Sequence, residues 1–206
     1  PHLVSTDDYF VGDERNPRDA AGNLDYEHIR AMDLDRLNDD LQALLAGRSV
    51  RLPRFDFKTK RGFDREEPMR LGAEDVMVME GIHCLNPELT PGVAREAKFL
   101  VYISALTQLA IDYNSRISTT DNRLLRRMVR DNQFRGHSAL TTLRRWPAVQ
   151  RGEKRWIFPF QQLSDATFNS ALDYELAVIK PYAVALLNEI KPCHPEYAEA
   201  RRLTGF

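Results

Sequence analysis

The run Asp75-Val76-Met77-Val78-Met79-Glu80-Gly81 joins four apolar residues and closes on an acid and a glycine. A short apolar run bounded in this way reads as a buried strand. Ala97-Lys98-Phe99-Leu100-Val101-Tyr102-Ile103-Ser104 reads as a second central strand. Helical patterns lie between and after the two. Strands alternating with helices fold as a parallel sheet, because each helical crossover returns the next strand in the same direction. The first constraint is therefore an α/β architecture. At 206 residues the chain suffices for one large α/β domain or two small ones, with a proper core.

The acid that ends the first of these strands also has a chemical reading. An apolar strand closed by Glu80 has the shape of a Walker-B strand, which places a carboxylate near Mg²⁺. Ordinary strands end this way too. A similar arrangement opens the chain, where Leu3-Val4-Ser5 reads as a strand leading into Thr6-Asp7-Asp8-Tyr9-Phe10. Two carboxylates just past a strand's carboxyl end occupy the usual ligand crevice of an α/β sheet, and a plain turn or helix cap would look the same.

The remaining segments follow in order. Residues 12–23, rich in Gly, Pro, Asn and Asp, form a loop. Asp33 to Ala46 is an amphipathic helix with Leu34, Leu37, Leu41, Leu44 and Leu45 on one face and Gly47 as its C-cap. Ser49 to Pro53 reads as a brief strand, and Arg54-Phe55-Asp56-Phe57-Lys58-Thr59-Lys60-Arg61-Gly62 alternates as a half-buried strand or hairpin arm. Ser138 to Gln150 reads as a helix limited by Pro147, and Trp156 to Phe160 as a return to apolar burial. Asp165 to Ser170 is the expected last strand, and Leu172 to Ile190 a long helix interrupted or restarted at Pro181. Ala198 to Leu203 resembles a helix cut short, and the chain opens as if inside a strand; we expect a piece of a longer protein.

One helix carries unusual charge. Between Thr119 and Asp131, residues Arg123, Arg126, Arg127 and Arg130 fall within one arc of about 100°, opposite Leu124, Leu125, Met128 and Val129. Planar guanidinium forks suit carboxylates and phosphate oxygens. Asp121 and Asp131 alone lie close enough in sequence to neutralise them. A solvated face with distant acidic partners is the competing reading. The charge excess is local: 29 lysines and arginines nearly balance 30 aspartates and glutamates, so no global field draws the chain to nucleic acid or an anionic membrane. The two cysteines, Cys84 and Cys193, lack metal-ligand spacing and read as reduced thiols of a cytoplasmic protein. No apolar run approaches the ~20 residues of a membrane span.

Taken together, Ser5-Thr6-Asp7-Asp8-Tyr9-Phe10, Leu24-Asp25-Tyr26-Glu27, Leu52-Pro53-Arg54-Phe55-Asp56-Phe57, Met79-Glu80-Gly81-Ile82-His83 and the arginine segment ending Arg135-Gly136 resemble the uridine kinase and phosphoribulokinase branch of P-loop kinases. The resemblance runs from about residue 3 to residue 190, with the motifs in family order. By Tyr102-Ile103-Ser104-Ala105-Leu106-Thr107-Gln108 and Trp156-Ile157-Phe158-Pro159-Phe160 it is similar to the uridine-kinase-like subgroup that carries upstream domains like those of threonyl-tRNA synthetase. The implied fold is a three-layer α/β/α parallel-sheet P-loop kinase. It would have a helical arginine-rich lid over about residues 105–150 and a small substrate-side hairpin over about 50–72. No G-x-x-x-x-G-K-[ST] sequence occurs. The family places that loop ahead of the segment that opens this chain, so we expect residues 1–206 to be an incomplete domain, missing its first strand, phosphate loop and first helix. A homologue that has lost them is the alternative.

The resemblance implies ATP and Mg²⁺ as cofactors. It implies Asp7 as the general base for a nucleoside 5′-hydroxyl and a neighbour of Mg²⁺, with Glu80 as the second metal-side acid. Asp8 would be structural, and Asp25 would bind the ribose hydroxyls. Phe10 and Phe55 would wall the nucleoside pocket, while Phe57 is read as core. Lys60 and His137 stand at base-reading positions as departures, and Phe55 replaces a tyrosine, which puts uridine specificity in question. Arg127 would contact the acceptor, Arg123, Arg130 and Arg135 the ATP phosphates, and Arg126 solvent or a salt bridge. His28 and His83 are read as structural.

The expected activity is phosphorylation of a nucleoside, uridine or cytidine by default, with the 206-residue chain inactive by itself. The alternatives are a kinase of the same branch acting on another hydroxylated metabolite, or a non-catalytic nucleotide-sensing module of a larger RNA-associated protein. The expected partner is a small molecule, without membrane or direct nucleic-acid binding, and homo-oligomerisation stays open.

Overall fold

The computed structural model describes residues 1–57, 59–107, 113 and 117–206. Residues 108–112 and 114–116 of the expected lid, with Gln108 of the subgroup motif, lie outside the described residues. The chain divides into two compact units, Pro1–Tyr102 with Arg151–Ala166, and Ile103–Gln150 with Thr167–Phe206.

In the first unit, β1 (His2–Ser5) is followed by a 3₁₀ turn at Thr6–Tyr9 and, after the long loop, by α1 (Leu34–Leu45). Asp33 caps α1 by accepting the Arg36 N–H, and Gly47 beyond its end takes φ +70. Leu37, Leu41 and Leu44 are fully buried, each burial contributing about 1.5–3 kcal/mol as an upper bound. Leu45 is displaced from this face and is 55% exposed, because it sits one residue, about 100° of rotation, past Leu44. A hairpin follows, β2 (Pro53–Asp56) antiparallel to β3 (Arg61–Asp64), with Arg54 opposite Phe63. The strand expected at 49–53 is reduced to an isolated bridge between Val50 and Met69.

Next, β4 (Met77–Glu80) pairs in parallel with β1, so that Leu3 meets Val78 and Ser5 meets Glu80. The expectation of a buried strand fails on one face. Met77 and Met79 pack on the core that contains Val4, Ile29 and Leu41, while Val78 on the other face is 48% exposed. A two-stranded parallel ribbon covered on one side can bury only alternate residues. Likewise β5 (Val101–Ser104) is not central: it forms a two-stranded sheet with β6 (Ala166–Asn169), and Val101 is exposed. The Trp156–Phe160 stretch is also incompletely buried, with Phe158 exposed in a 3₁₀ segment.

The second unit is helical at its core. α2 (Thr119–Arg135) buries Leu124, Leu125 and Met128, as its apolar stripe predicts, and packs against α4 (Glu175–Asn188), which in turn packs against α5 (Tyr197–Thr204). α3 (Ala139–Trp156) continues through Pro147, and α4 through Pro181. Both departures from expectation have one cause: core residues on either side, Trp146 and Val149 in α3, Ile179 and Ala183 in α4, anchor each helix across its missing hydrogen bond. No helix among the described residues is long and apolar enough to cross a membrane.

Candidate active site

The parallel register of β1 and β4 brings the carboxyl ends of both strands to one edge, with Ser5 opposite Glu80. Asp7 lies two residues beyond Ser5, half-buried in the 3₁₀ turn, and Glu80 is the exposed last residue of β4. Gly81 fixes how closely the two ends approach. Its φ is +152, and a Cβ there would collide with the Oγ1 of fully buried Thr6. The two carboxylates act on a common neighbour. The Cys84 thiol is pushed up to about 12, first by burial, then by the charge of Glu80 and of Asp7. A site whose negative charge is felt by a neighbouring, partly buried thiol suits a divalent cation. Among the described residues no three metal-binding side chains cluster. One or two carboxylates are what Mg²⁺ takes when waters and phosphate oxygens complete its shell, so the residues present fit that ion.

Asp8 has a different task. Its Oδ1 accepts the Phe55 N–H at 3.2 Å and its Oδ2 accepts from Arg65 Nη2 at 2.8 Å, so it ties the hairpin to the turn that carries Asp7. This matches its reading as structural. Phe10, Phe55 and Phe57 then meet as a triangle of tilted and edge-on rings, with centroids 5.8, 5.7 and 5.1 Å apart. The placement of Phe57 in the core is overturned: it is 43% exposed and completes an aromatic wall. Its position in the tip of the hairpin, just past β2, leaves it outside the core.

Lys60 is the one non-glycine residue with positive φ among the described residues, at +57. Its Nζ donates to Asp13 Oδ2 at 2.5 Å and to the Tyr26 hydroxyl at 2.9 Å, while Tyr26 donates to Asp13 Oδ1 at 2.6 Å. Gly12 allows this closure, since a Cβ on it would stand 3.2 Å from the Lys60 carbonyl oxygen. The hydrogen bond from Lys60, then that from Tyr26, holds the Asp13 carboxyl below the usual carboxylate range. Asp13 and Tyr26 are site residues that the sequence reading missed as a pair. Neither spacing nor periodicity signals a contact across 47 and 34 residues.

Asp25 occupies a turn in which its Oδ1 accepts the Glu27 N–H at 3.1 Å. Nearby, His83 is 2% exposed, and burial, with His28 adding, lowers its imidazole to about 4 from 6.5. The His28 ring meets that of Trp156 at 4.5 Å between centroids, tilted by 59°. Both histidines serve as structure. Because folded His83 holds its proton more weakly than the unfolded chain, its contribution to stability is full above pH 6.5 and is lost as pH falls toward 4. That amounts to about 3 kcal/mol. The expected NMR result is an imidazole signal from His83 that titrates near 4; titration near 6.5 would contradict it.

The candidate lid residues belong to the second unit. Arg126 pairs with Glu175 at 3.1 Å, as its assignment to a salt bridge anticipates. Arg127, Arg130 and Arg135 converge instead on Asp131, at 3.4, 2.9 and 3.4 Å. Arg123 stands half-buried on the same helix. His137 follows the αL cap Gly136, its N–H donates to the Asp131 carbonyl at 3.1 Å, and its Nε2 meets Arg145 Nη1 at 3.4 Å. Burial, then Arg145, lowers the His137 pKa. The structure thus gathers Asp7 with Glu80, Phe10 with Phe55, and Arg127 with Arg130 and Arg135.

A profile of the Phosphoribulokinase / Uridine kinase family matches residues 3–177. A uridine kinase of Bacillus licheniformis is 27% identical over 164 residues, 79% of this chain and 69% of that protein. A uridine kinase of Streptococcus equi subsp. zooepidemicus is 26% identical over 196 residues, 91% of this chain and 83% of its own length. One from Halobacterium salinarum is 27% identical over 135 residues, 65% of this chain and 52% of that protein.

Proposed function

Since the chain belongs to the phosphoribulokinase / uridine kinase family, we propose that it transfers the γ-phosphoryl group of ATP to a nucleoside 5′-hydroxyl, with uridine or cytidine as acceptor. The observation that supports this reading is the β1–β4 register, in which Ser5, two residues before Asp7, pairs with Glu80. In this reading Asp7 orients the acceptor hydroxyl and takes its proton as the new oxygen–phosphorus bond forms and the bond from the γ-phosphorus to the departing ADP breaks. Asp7 and Glu80 would hold Mg²⁺, which would supply charge neutralisation for the phosphates. Phe10 and Phe55 wall the acceptor pocket, Asp25 takes the ribose hydroxyls, and Arg123, Arg127, Arg130 and Arg135 meet phosphate or acceptor oxygens. The partner is a small molecule rather than nucleic acid, in keeping with 29 cationic against 30 anionic side chains. Two free thiols suit the reducing cytoplasm.

A specific observation favours a second acceptor class. Phe55 offers no hydroxyl, and the Lys60 ammonium is engaged by Asp13 and Tyr26. A pocket without polar partners for a base edge discriminates bases poorly. Another hydroxylated metabolite is therefore the alternative acceptor. Because the sequence contains no glycine-rich G-x-x-x-x-G-K-[ST] loop, weak ATP affinity and no turnover are expected of the 206-residue chain by itself. The test follows ADP formation by the product of the complete gene with a panel of nucleosides and sugar phosphates. Uridine- or cytidine-dependent turnover supports the first reading and turnover with another acceptor the second. Silence with all of them overturns both in favour of a nucleotide-sensing module.

A further inference from the structure

We infer that Asp131 is a positioning residue that sets the arginine cluster of α2 for polyphosphate, an inference that rests on the kinase reading above. The Asp131 side chain is 4% exposed, yet it faces three guanidinium groups. Arg130 folds back on it with two donors, Nε at 3.0 Å and Nη2 at 2.9 Å to Oδ1. Arg127 approaches Oδ2 from one turn earlier, and Arg135 approaches Oδ1 from one turn later. The main chain of the same residue closes the helix, its carbonyl accepting from Gly136 and His137.

The other acid of this helix is committed elsewhere. Asp121 is held bidentately by Arg202 on α5, at 3.0 and 2.6 Å, and the cation on the far side, Arg126, belongs to Glu175. Asp131 is thus a buried carboxylate shared by three cations. One carboxylate has about four acceptor positions and each guanidinium brings about five donors, so Asp131 alone does not saturate the three. Without Asp131 three like charges within two helical turns repel one another and lose their common orientation. With it they are set before the ligand arrives, which is where preorganised electrostatics takes its effect.

The sign of one substitution separates positioning from simple counter-charge. Removing a negative charge from an anion site strengthens anion binding if Asp131 acts only through its field. It weakens binding if Asp131 orients the arginines. The probe is inorganic tripolyphosphate, titrated calorimetrically into the 206-residue chain and its Asp131→Asn and Asp131→Glu forms. We expect Asp131→Asn to raise Kd about tenfold, or 1.4 kcal/mol. The Arg127 and Arg130 Nε–H signals would lose dispersion in ¹⁵N spectra while Leu125 and Leu187 methyl signals stay in place. Asp131→Glu keeps the charge but shifts the carboxylate by one methylene; it is expected to fall between, and it carries the test if the asparagine form does not fold. Unchanged or tighter binding in the folded variants, with unchanged Nε–H signals, overturns the positioning role. Failure of the unaltered chain to bind tripolyphosphate overturns the phosphate-clamp reading with it.

Discussion

Replacing Asp7 by asparagine in the product of the complete gene is expected to lower kcat by about 10²- to 10⁴-fold, the range over which a positioned acid or base contributes. The amide has the shape of the carboxylate but neither its charge nor its affinity for a proton. The turn that carries residue 7 keeps its other supports, since Thr6 is buried against Gly81 and Asp8 anchors the hairpin through Phe55 and Arg65. The loss therefore falls on the chemical step, with KM for the acceptor little changed. Steady-state kinetics with the acceptor identified by the panel checks this. A kcat within a fewfold of the unaltered enzyme would remove Asp7 from the reaction.

Gly81→Ala is expected to be the most damaging small substitution in the first unit. Two costs add at this position. A φ of +152 is strained for any residue with a Cβ, at about 1–3 kcal/mol. The new methyl also drives into the Thr6 side chain, which is fully buried and has nowhere to move, at about 1–3 kcal/mol more. Thermal denaturation is expected to shift down by roughly 5–15 °C for a domain of this size. Adding Thr6→Ala removes Oγ1 and Cγ2 from the collision and recovers part of the loss, leaving the backbone strain. A Gly81→Ala chain as stable as the unaltered one would show that β4 and the Asp7 turn need not approach this closely.

How far the sequence carries such an account depends on the range of the interaction. The α/β class, α1 with its cap and glycine stop, the arginine helix and the order of the family motifs are local patterns, and each is legible in a window of a few residues. Exposure is not local. Val78 and Leu45 belong to correct elements, but whether each is covered depends on neighbours distant in sequence. Pro147 and Pro181 illustrate the same limit, because tertiary anchoring on both sides carries a helix through a residue that opposes it. In the candidate site, Asp7 and Glu80 stand out as acids at strand ends. The convergence of Arg127 and Arg135 on Asp131 is implicit in i,i+4 spacing, although periodicity alone suggests an outward fork. The Lys60–Asp13–Tyr26 set leaves no trace, since Asp13 and Tyr26 lie far apart in the long loop before α1 and meet Lys60 of the hairpin tip through a strained lysine backbone.

The central claim is that the carboxylates at the ends of β1 and β4 form one phosphoryl-transfer centre. Its most direct test is the Mg²⁺ dependence of turnover in the product of the complete gene, unaltered and as Glu80→Gln. Glu80 lies opposite Ser5, two residues before Asp7, and its charge reaches the same partly buried Cys84 thiol as that of Asp7. Losing one of two metal-side carboxylates is expected to raise the half-saturating Mg²⁺ concentration about tenfold, the low end of what supporting groups at metal sites contribute, with acceptor KM unchanged. A Glu80→Gln enzyme with the Mg²⁺ dependence and turnover of the unaltered protein would contradict the shared centre.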